Sequence, residues 1–200
     1  MKSDLVVTIS RQYGSGGREV GQKLAQRLGL PCYDKELINL AAQKSGFSPS
    51  HFEEPEQQAS SSMLFSLLRA GSIINSYDLP LNDKIYLVQS KVIRQLAEEG
   101  PCVIVGRCAD YILEDLPHCV RVFIHAPLPL RVERGRTAYG LPQDKAEDII
   151  EKTDKRRSTY YNYYTGIRFG DARHYHVAMD SLSIGLDNAV AVLEAYVRSF

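Results

Sequence analysis

Two hundred residues with 24 basic and 24 acidic side chains, 44% hydrophobic residues and no formal net charge describe an ordinary globular chain, long enough for one α/β domain that buries roughly 70% of the surface its unfolded form exposes. Balanced charge argues against a surface for non-specific binding to a nucleic acid polymer, which depends on excess Lys and Arg, and no run reaches the roughly 18 apolar residues of a membrane span. Cys32, Cys102, Cys108 and Cys119 are scattered without C-x-x-C or histidine spacing, so neither a disulfide scaffold nor a zinc site is expected; Met1-Lys2-Ser3-Asp4 lacks the apolar core of a secretory signal, and the expected location is the cytoplasm.

In chain order, Leu5-Val6-Val7-Thr8-Ile9 is a short β-branched run of the kind buried on both faces of a parallel sheet. Gly14-Ser15-Gly16-Gly17 breaks it, and Val20, Leu24 and Leu28 then recur at helical spacing up to Gly29, a residue suited to a helix stop. Pro31-Cys32-Tyr33 predicts a second strand, and Asp34 the cap of a helix through Ala42. Residues 46–82 form a first excursion, whose apolar cluster of Met63, Leu64, Phe65, Leu67 and Leu68 reads as packing, a dimer contact or a flap over substrate. Strands are expected at residues 102–105, 120–124 and 175–179, with helices between them. Alternating strands and helices imply right-handed crossovers and a single three-layer α/β/α domain with a five-stranded parallel sheet.

Residues 127–166 form a second, arginine-rich excursion. Between Arg131 and Arg157 lie eight Lys or Arg residues, five of them arginines, and the interval between Arg131 and Arg134 sets those two on one helical face. Such a concentration suits a phosphate-rich small ligand, because planar guanidinium forks bind phosphate oxygens in pairs; a solvated helical face paired with Glu133, Asp144, Glu147 and Asp154 is the plainer alternative. Tyr160, Tyr161, Tyr163 and Tyr164 follow, suited to packing or to stacking on a nucleobase. His174 and His176 fall on one side of a strand edge without further ligands nearby, so no metal site is expected there.

The glycine run points to phosphate. Gly14, Gly16 and Gly17 let successive backbone N–H groups approach an anion, and the following helix adds its positive N-terminal end. Against the pattern G-x-x-x-x-G-K-[ST], Arg11 replaces the first glycine, Gly17 the lysine and Arg18 the hydroxyl. Arg18 is then the candidate cation, one position late. Against a dinucleotide fingerprint the run half matches, since Asp34 stands 20 residues after Gly14, so an NAD-type oxidoreductase is a rival. Arg107 follows a buried strand and a glycine, at the sheet edge where α/β ligands bind.

Three segments together, Ile9-Ser10-Arg11-Gln12-Tyr13-Gly14-Ser15-Gly16-Gly17-Arg18-Glu19, Tyr33-Asp34-Lys35-Glu36-Leu37-Ile38 and Val105-Gly106-Arg107-Cys108-Ala109-Asp110, resemble the cytidylate kinase-like family, relatives of the P-loop nucleoside monophosphate kinases. The resemblance implies a P-loop NTPase-like fold in which residues 46–82 serve the acceptor and residues 127–166 form a helical lid. It implies ATP as phosphoryl donor, Mg²⁺ carried mainly by the nucleotide phosphates, and a small acceptor such as CMP or dCMP. Gly14, Ser15, Gly16, Gly17 and Arg18 would cradle the donor phosphates, and Asp34 and Arg107 would hold the acceptor. Arg18, Arg131, Arg134, Arg156 and Arg157 would neutralise the moving phosphoryl group. No residue is assigned to a metal, with Ser10, Ser15 and Asp34 only weak candidates. Lys35-Glu36, Asn39 and Cys108 depart from the family pattern at base-recognising positions, which leaves the acceptor base open. A catalytically silent nucleotide-binding module is the second expectation, and a homo-oligomer is compatible with either.

Overall fold

The structure, a computed structural model, describes residues 4–34, 39 and 79–200. Its sheet has five parallel strands in the order β2-β3-β1-β4-β5: β1 (Val6–Arg11), β2 (Cys32–Tyr33), β3 (Cys102–Val105), β4 (Cys119–His125) and β5 (Val177–Asp180). The helices are α1 (Gly17–Leu28), α2 (Leu81–Glu98), α3 (Ala109–Ile112), α4 (Leu128–Tyr139), α5 (Ala146–Thr165), α6 (Ser181–Ile184) and α7 (Leu186–Ser199). Among the described residues no helix is long and apolar enough to cross a membrane.

Strand alternation builds the layers. In β1 the side chains of Val7 and Ile9 join Leu24 of α1 and Leu193 of α7 on one face. Val6, with Cys102 and Ile104 of β3, joins Ile85 and Ile93 of α2 and Tyr160, Tyr161 and Tyr164 of α5 on the other. All of β1 through Ser10 is buried, as a central strand covered by helices on both faces must be; each fully buried aliphatic side chain there contributes about 1.5–3 kcal/mol over an exposed one. The three-layer α/β/α architecture expected from the sequence is therefore the one observed.

The structure shifts one strand start, divides one excursion and decides between two readings of the tyrosines. Strand β5 starts at Val177 rather than Tyr175, because the Tyr175 N–H still closes the preceding turn on the Ala172 carbonyl, 3.2 Å away. The stretch 127–166 folds as two helices, α4 closing on Gly140 in the left-handed region (φ 66°) before α5 begins at Ala146. The tyrosine cluster packs: Tyr160, Tyr161 and Tyr164 are 5%, 3% and 2% exposed, and Tyr86 of α2 stacks on Tyr164 at 4.0 Å. The helix expected after Asp34, and the cluster from Met63 to Leu68, lie outside the described residues apart from Asn39, whose Oδ1 accepts a hydrogen bond from Gln89 Nε2 at 2.8 Å.

Candidate active site

The carboxyl ends of β1, β2 and β3 meet at one edge, and the turn leaving β1 crosses it. Gly14 and Gly16 both hold positive φ, 79° and 76°, conformations a glycine adopts without penalty. The turn is strapped from behind by three elements. From α4, Arg131 donates through Nη1 to the Tyr13 carbonyl at 3.1 Å and through Nε to the Ala126 carbonyl at 3.0 Å. In α5, Asp154 accepts the Tyr13 N–H at 2.7 Å and pairs with Arg131 at 2.5 Å. From α6, the Ser181 hydroxyl donates to the Ser15 carbonyl at 2.6 Å, while the buried Ser15 hydroxyl donates to Gln12 O at 2.9 Å. Helix α1 then starts at Gly17 without a side-chain cap, and the positive end of a helix suits an anion.

A cavity of about 420 Å³ opens on this turn, lined by Gly14, Gly16, Gly17 and Arg18, with Asp34 and Arg157 on its walls. Arg18 Nη2 lies 2.6 Å from Asp34 Oδ2, joining α1 to the end of β2. Arg157 donates to the Arg11 carbonyl at 3.2 Å and sits over the Tyr13 ring, 5.4 Å from its centroid. A smaller cavity adjoins, lined by Ser10, Arg107, Cys108, Tyr160 and Tyr161, and Arg11 and Arg157 line both. Arg107 is buried with φ 57°, a strained left-handed position for an arginine.

Of the residues singled out from the sequence, Gly14, Gly16, Gly17, Arg18, Asp34 and Arg157 converge on the larger cavity, and Arg107 lines the smaller one. Arg134 stands at the flank, its Nη2 2.6 Å from Glu19 Oε2 and its guanidinium 5.6 Å from the Tyr139 ring centroid. Partial burial pushes the Glu19 carboxyl up, but hydrogen bonds from Lys23 and Arg134 outweigh it and hold the group below its ordinary value. Arg131 is 7% exposed and lies behind the turn. Arg156 is exposed, its Nη2 donating to Thr153 Oγ1 at 3.3 Å.

Sequence reading gave no site role to Arg11, Gln12, Tyr13 and Tyr139 on the cavity wall or to Ser181 behind the turn; it offered Asp154 as a partner for the arginines, which the pair with Arg131 bears out. It also missed Asp110, 3% exposed, which accepts from Ser10 Oγ at 3.1 Å and from the Tyr161 hydroxyl at 2.7 Å. Burial pushes the Asp110 carboxyl above the usual range, although those donors pull it back. Arg11 stood out as the first departure from the glycine pattern, while Gln12, Tyr13 and Asp110 lay within the segments that carry the family resemblance. The weak candidates for magnesium are otherwise engaged: Ser10 donates to Asp110, Ser15 to Gln12 O, and Asp34 pairs with Arg18. No group of three or more His, Cys, Asp or Glu among the described residues is placed to hold a metal ion, so the side chains here do not fit a protein-built magnesium cage.

Strand order bears on the dinucleotide rival. In that fold β1 and β2 are neighbours; here β3 lies between them, and the Asp34 carboxylate that would bind a ribose is turned to Arg18.

Comparison with known proteins gives a consistent result. The model of the cytidylate kinase-like family matches residues 6–183. A cytidylate kinase of Methanopyrus kandleri is 22% identical over 202 residues, covering 96% of this chain and 93% of that protein; one of Pyrococcus horikoshii is 23% identical over 198 residues, covering 98% and 90%. Among solved structures, an uncharacterised protein from Eubacterium ventriosum superposes with a TM-score of 0.75 at 27% identity, covering 98% of this chain and 99% of that one. A shikimate kinase from Bacteroides thetaiotaomicron shares the fold with a TM-score of 0.54 at 13% identity, over 97% and 98% of the two chains.

Proposed function

Because this chain belongs to the cytidylate kinase-like family, we propose that it transfers the γ-phosphoryl group of ATP to a small acceptor, a nucleoside monophosphate of the CMP or dCMP type. The observation that carries the reading is the glycine turn, strapped from behind by Arg131, Asp154 and Ser181 and open in front to a cavity of about 420 Å³ walled by arginines. Phosphoryl transfer asks the protein for alignment and charge neutralisation rather than covalent chemistry, and a turn held rigid before ligand arrives supplies the first of these.

In this reading Gly14 to Arg18 bind the donor phosphates, and Asp34 and Arg107 take the acceptor. Helices α4 and α5 form the lid, from which Arg134, Arg156 and Arg157 neutralise the group in transit. Arg131 serves by holding the Tyr13 carbonyl and Asp154 in place, a positioning part that fits its burial. Magnesium would arrive on the nucleotide phosphates. The similarity to curated cytidylate kinases over almost their whole length supports the acceptor class.

The absence of lysine at Gly17 and of a hydroxyl at Arg18 favours one second reading, a nucleotide-binding protein without turnover. Incubating the protein with ATP, magnesium and CMP, dCMP or UMP separates the two. Acceptor-dependent ADP is the expected result, with CMP or dCMP fastest. ADP that stays at the no-acceptor level while ATP binds would leave the second reading standing.

A further inference from the structure

The loop differs from the strict glycine pattern at positions 11 and 17 together, and the structure links the two changes. A Cβ at Gly17 would stand 2.6 Å from Arg11 Cβ, 3.1 Å from Arg11 Cγ and 3.2 Å from Ile124 Cβ. The stem of Arg11 therefore fills the space into which a residue-17 side chain would start. Arg11 ends β1, paired with Ile124 of β4, so its backbone cannot move aside. Its guanidinium runs across the sheet edge to Gly106, at the end of β3, where an added Cβ would collide with Nη1. Gly106 stands where an acidic side chain closes the metal site in many P-loop enzymes; here an arginine head occupies that space.

This places a cation between the two cavities. Arg11 lines the larger one beside Gly14, Gly16 and Gly17, and the smaller one beside Arg107 and Cys108. Arg18, the cation suggested by the sequence, is elsewhere: it reaches Asp34 at 2.6 Å on the β2 side, with 55% of its side chain exposed.

We infer that Arg11 does the work of the missing loop lysine, binding the phosphate in transit from the first position of the glycine pattern instead of the seventh. The inference rests on the kinase reading. In the transfer an acceptor phosphate oxygen forms the new bond to the γ-phosphorus, the bond to the β,γ-bridging oxygen breaks, and ADP departs with the electron pair. Arg11 makes and breaks no bond and keeps its proton; its fork holds the equatorial oxygens as their charge shifts.

The test compares wild type with Arg11→Met, Arg11→Lys, Arg11→Gly, Gly17→Lys and the double variant Arg11→Gly/Gly17→Lys. It measures kcat and KM, and the affinities for ATP and for ADP by calorimetry, after a melting curve has established folding. Arg11→Met should lose about a hundredfold in kcat and lose more affinity for ATP than for ADP, because the group it binds is the one ADP lacks. Moving the cation back should help: the double variant should turn over at least tenfold faster than Arg11→Gly, whereas Gly17→Lys alone collides with the Arg11 stem and lowers the melting temperature. A kcat and ATP affinity for Arg11→Met within threefold of wild type would overturn the inference, as would a double variant no faster than Arg11→Gly. If Arg11→Met does not fold, Arg11→Lys and the double variant decide by the same criteria, Arg11→Lys being expected to fall between wild type and Arg11→Gly. Wild type that binds no ATP sinks the kinase reading and the inference with it, while ATP binding indifferent to Arg11 sinks the inference alone.

Discussion

Gly14 and Gly16 have nearly the same φ but different neighbours. A Cβ at Gly14 would meet the Arg131 carbonyl oxygen at 2.9 Å, while one at Gly16 would meet the end of the Leu186 side chain at 2.6 Å. Backbone cannot step aside and a leucine methyl can, so Gly14→Ala should destabilise the protein more than Gly16→Ala, by about 1–3 kcal/mol in urea unfolding. Equal losses would mean that positive φ alone decides. Asp110 offers a pH test. Burial, opposed by Tyr161 and Ser10, leaves its carboxyl raised, so the native state holds the proton at pH values where the unfolded chain has released it. Stability then falls as pH rises from about 4, the ordinary aspartate value, through the raised one. Asp110→Asn cannot titrate, so its stability relative to wild type should improve across that window in urea melts. A difference that is flat with pH would show that Asp110 does not titrate there.

Between elements, the Arg131–Asp154 pair joins α4 to α5 and both to the turn after β1. Its two side chains are 8% and 20% exposed, so Arg131→Met, which strands Asp154 and the Tyr13 carbonyl, should cost about 2–4 kcal/mol. Asp154→Asn, which keeps an acceptor for the Tyr13 N–H, should cost less; the reverse order would assign the energy to the Asp154 charge rather than to the bonds Arg131 makes with the backbone. The sequence offered Asp154 as one of several partners for the arginines but not its bond to the turn, because Tyr13 and Asp154 are 141 residues apart and no periodicity spans that interval. What was legible was local. Strands β1 and β3 were readable because a strand covered on both faces is a continuous apolar run, and α1 ended at Gly29 as glycine chemistry requires. The glycine turn and Asp34 were found for the same reason. Arg11 was seen only as an irregularity, since its meaning lies in the space it denies Gly17. The resemblance assigned Arg131 to phosphate and helical spacing set it beside Arg134, but a side chain's partners on other elements are not encoded in spacing.

At the scale of the whole molecule, burial favours the protonated form of three of the four thiols. Burial pushes Cys102 up to about 12, and Cys32 and Cys119 up to about 11, with nearby anionic groups adding to the shift at Cys32 and Cys102. At about pH 8 the thiolate is a minor species in each, so a thiol reagent should label these three at least a hundredfold more slowly in native protein than in denaturant. Fast labelling of Cys32, the half-buried one, would show that the β2 edge opens. The sheet order has a further consequence for how the chain is made. Strand β1 is central, yet its partners begin at Cys102 and Cys119, about a hundred residues later. On a ribosome adding roughly 5–20 residues per second, the first strand emerges and waits about 5–20 seconds for anything to pair with, an apolar segment with unmet hydrogen bonds throughout. Early synthesis is therefore the period in which this protein most needs a chaperone, and nascent chains halted before residue 102 should bind one more strongly than chains released after residue 125.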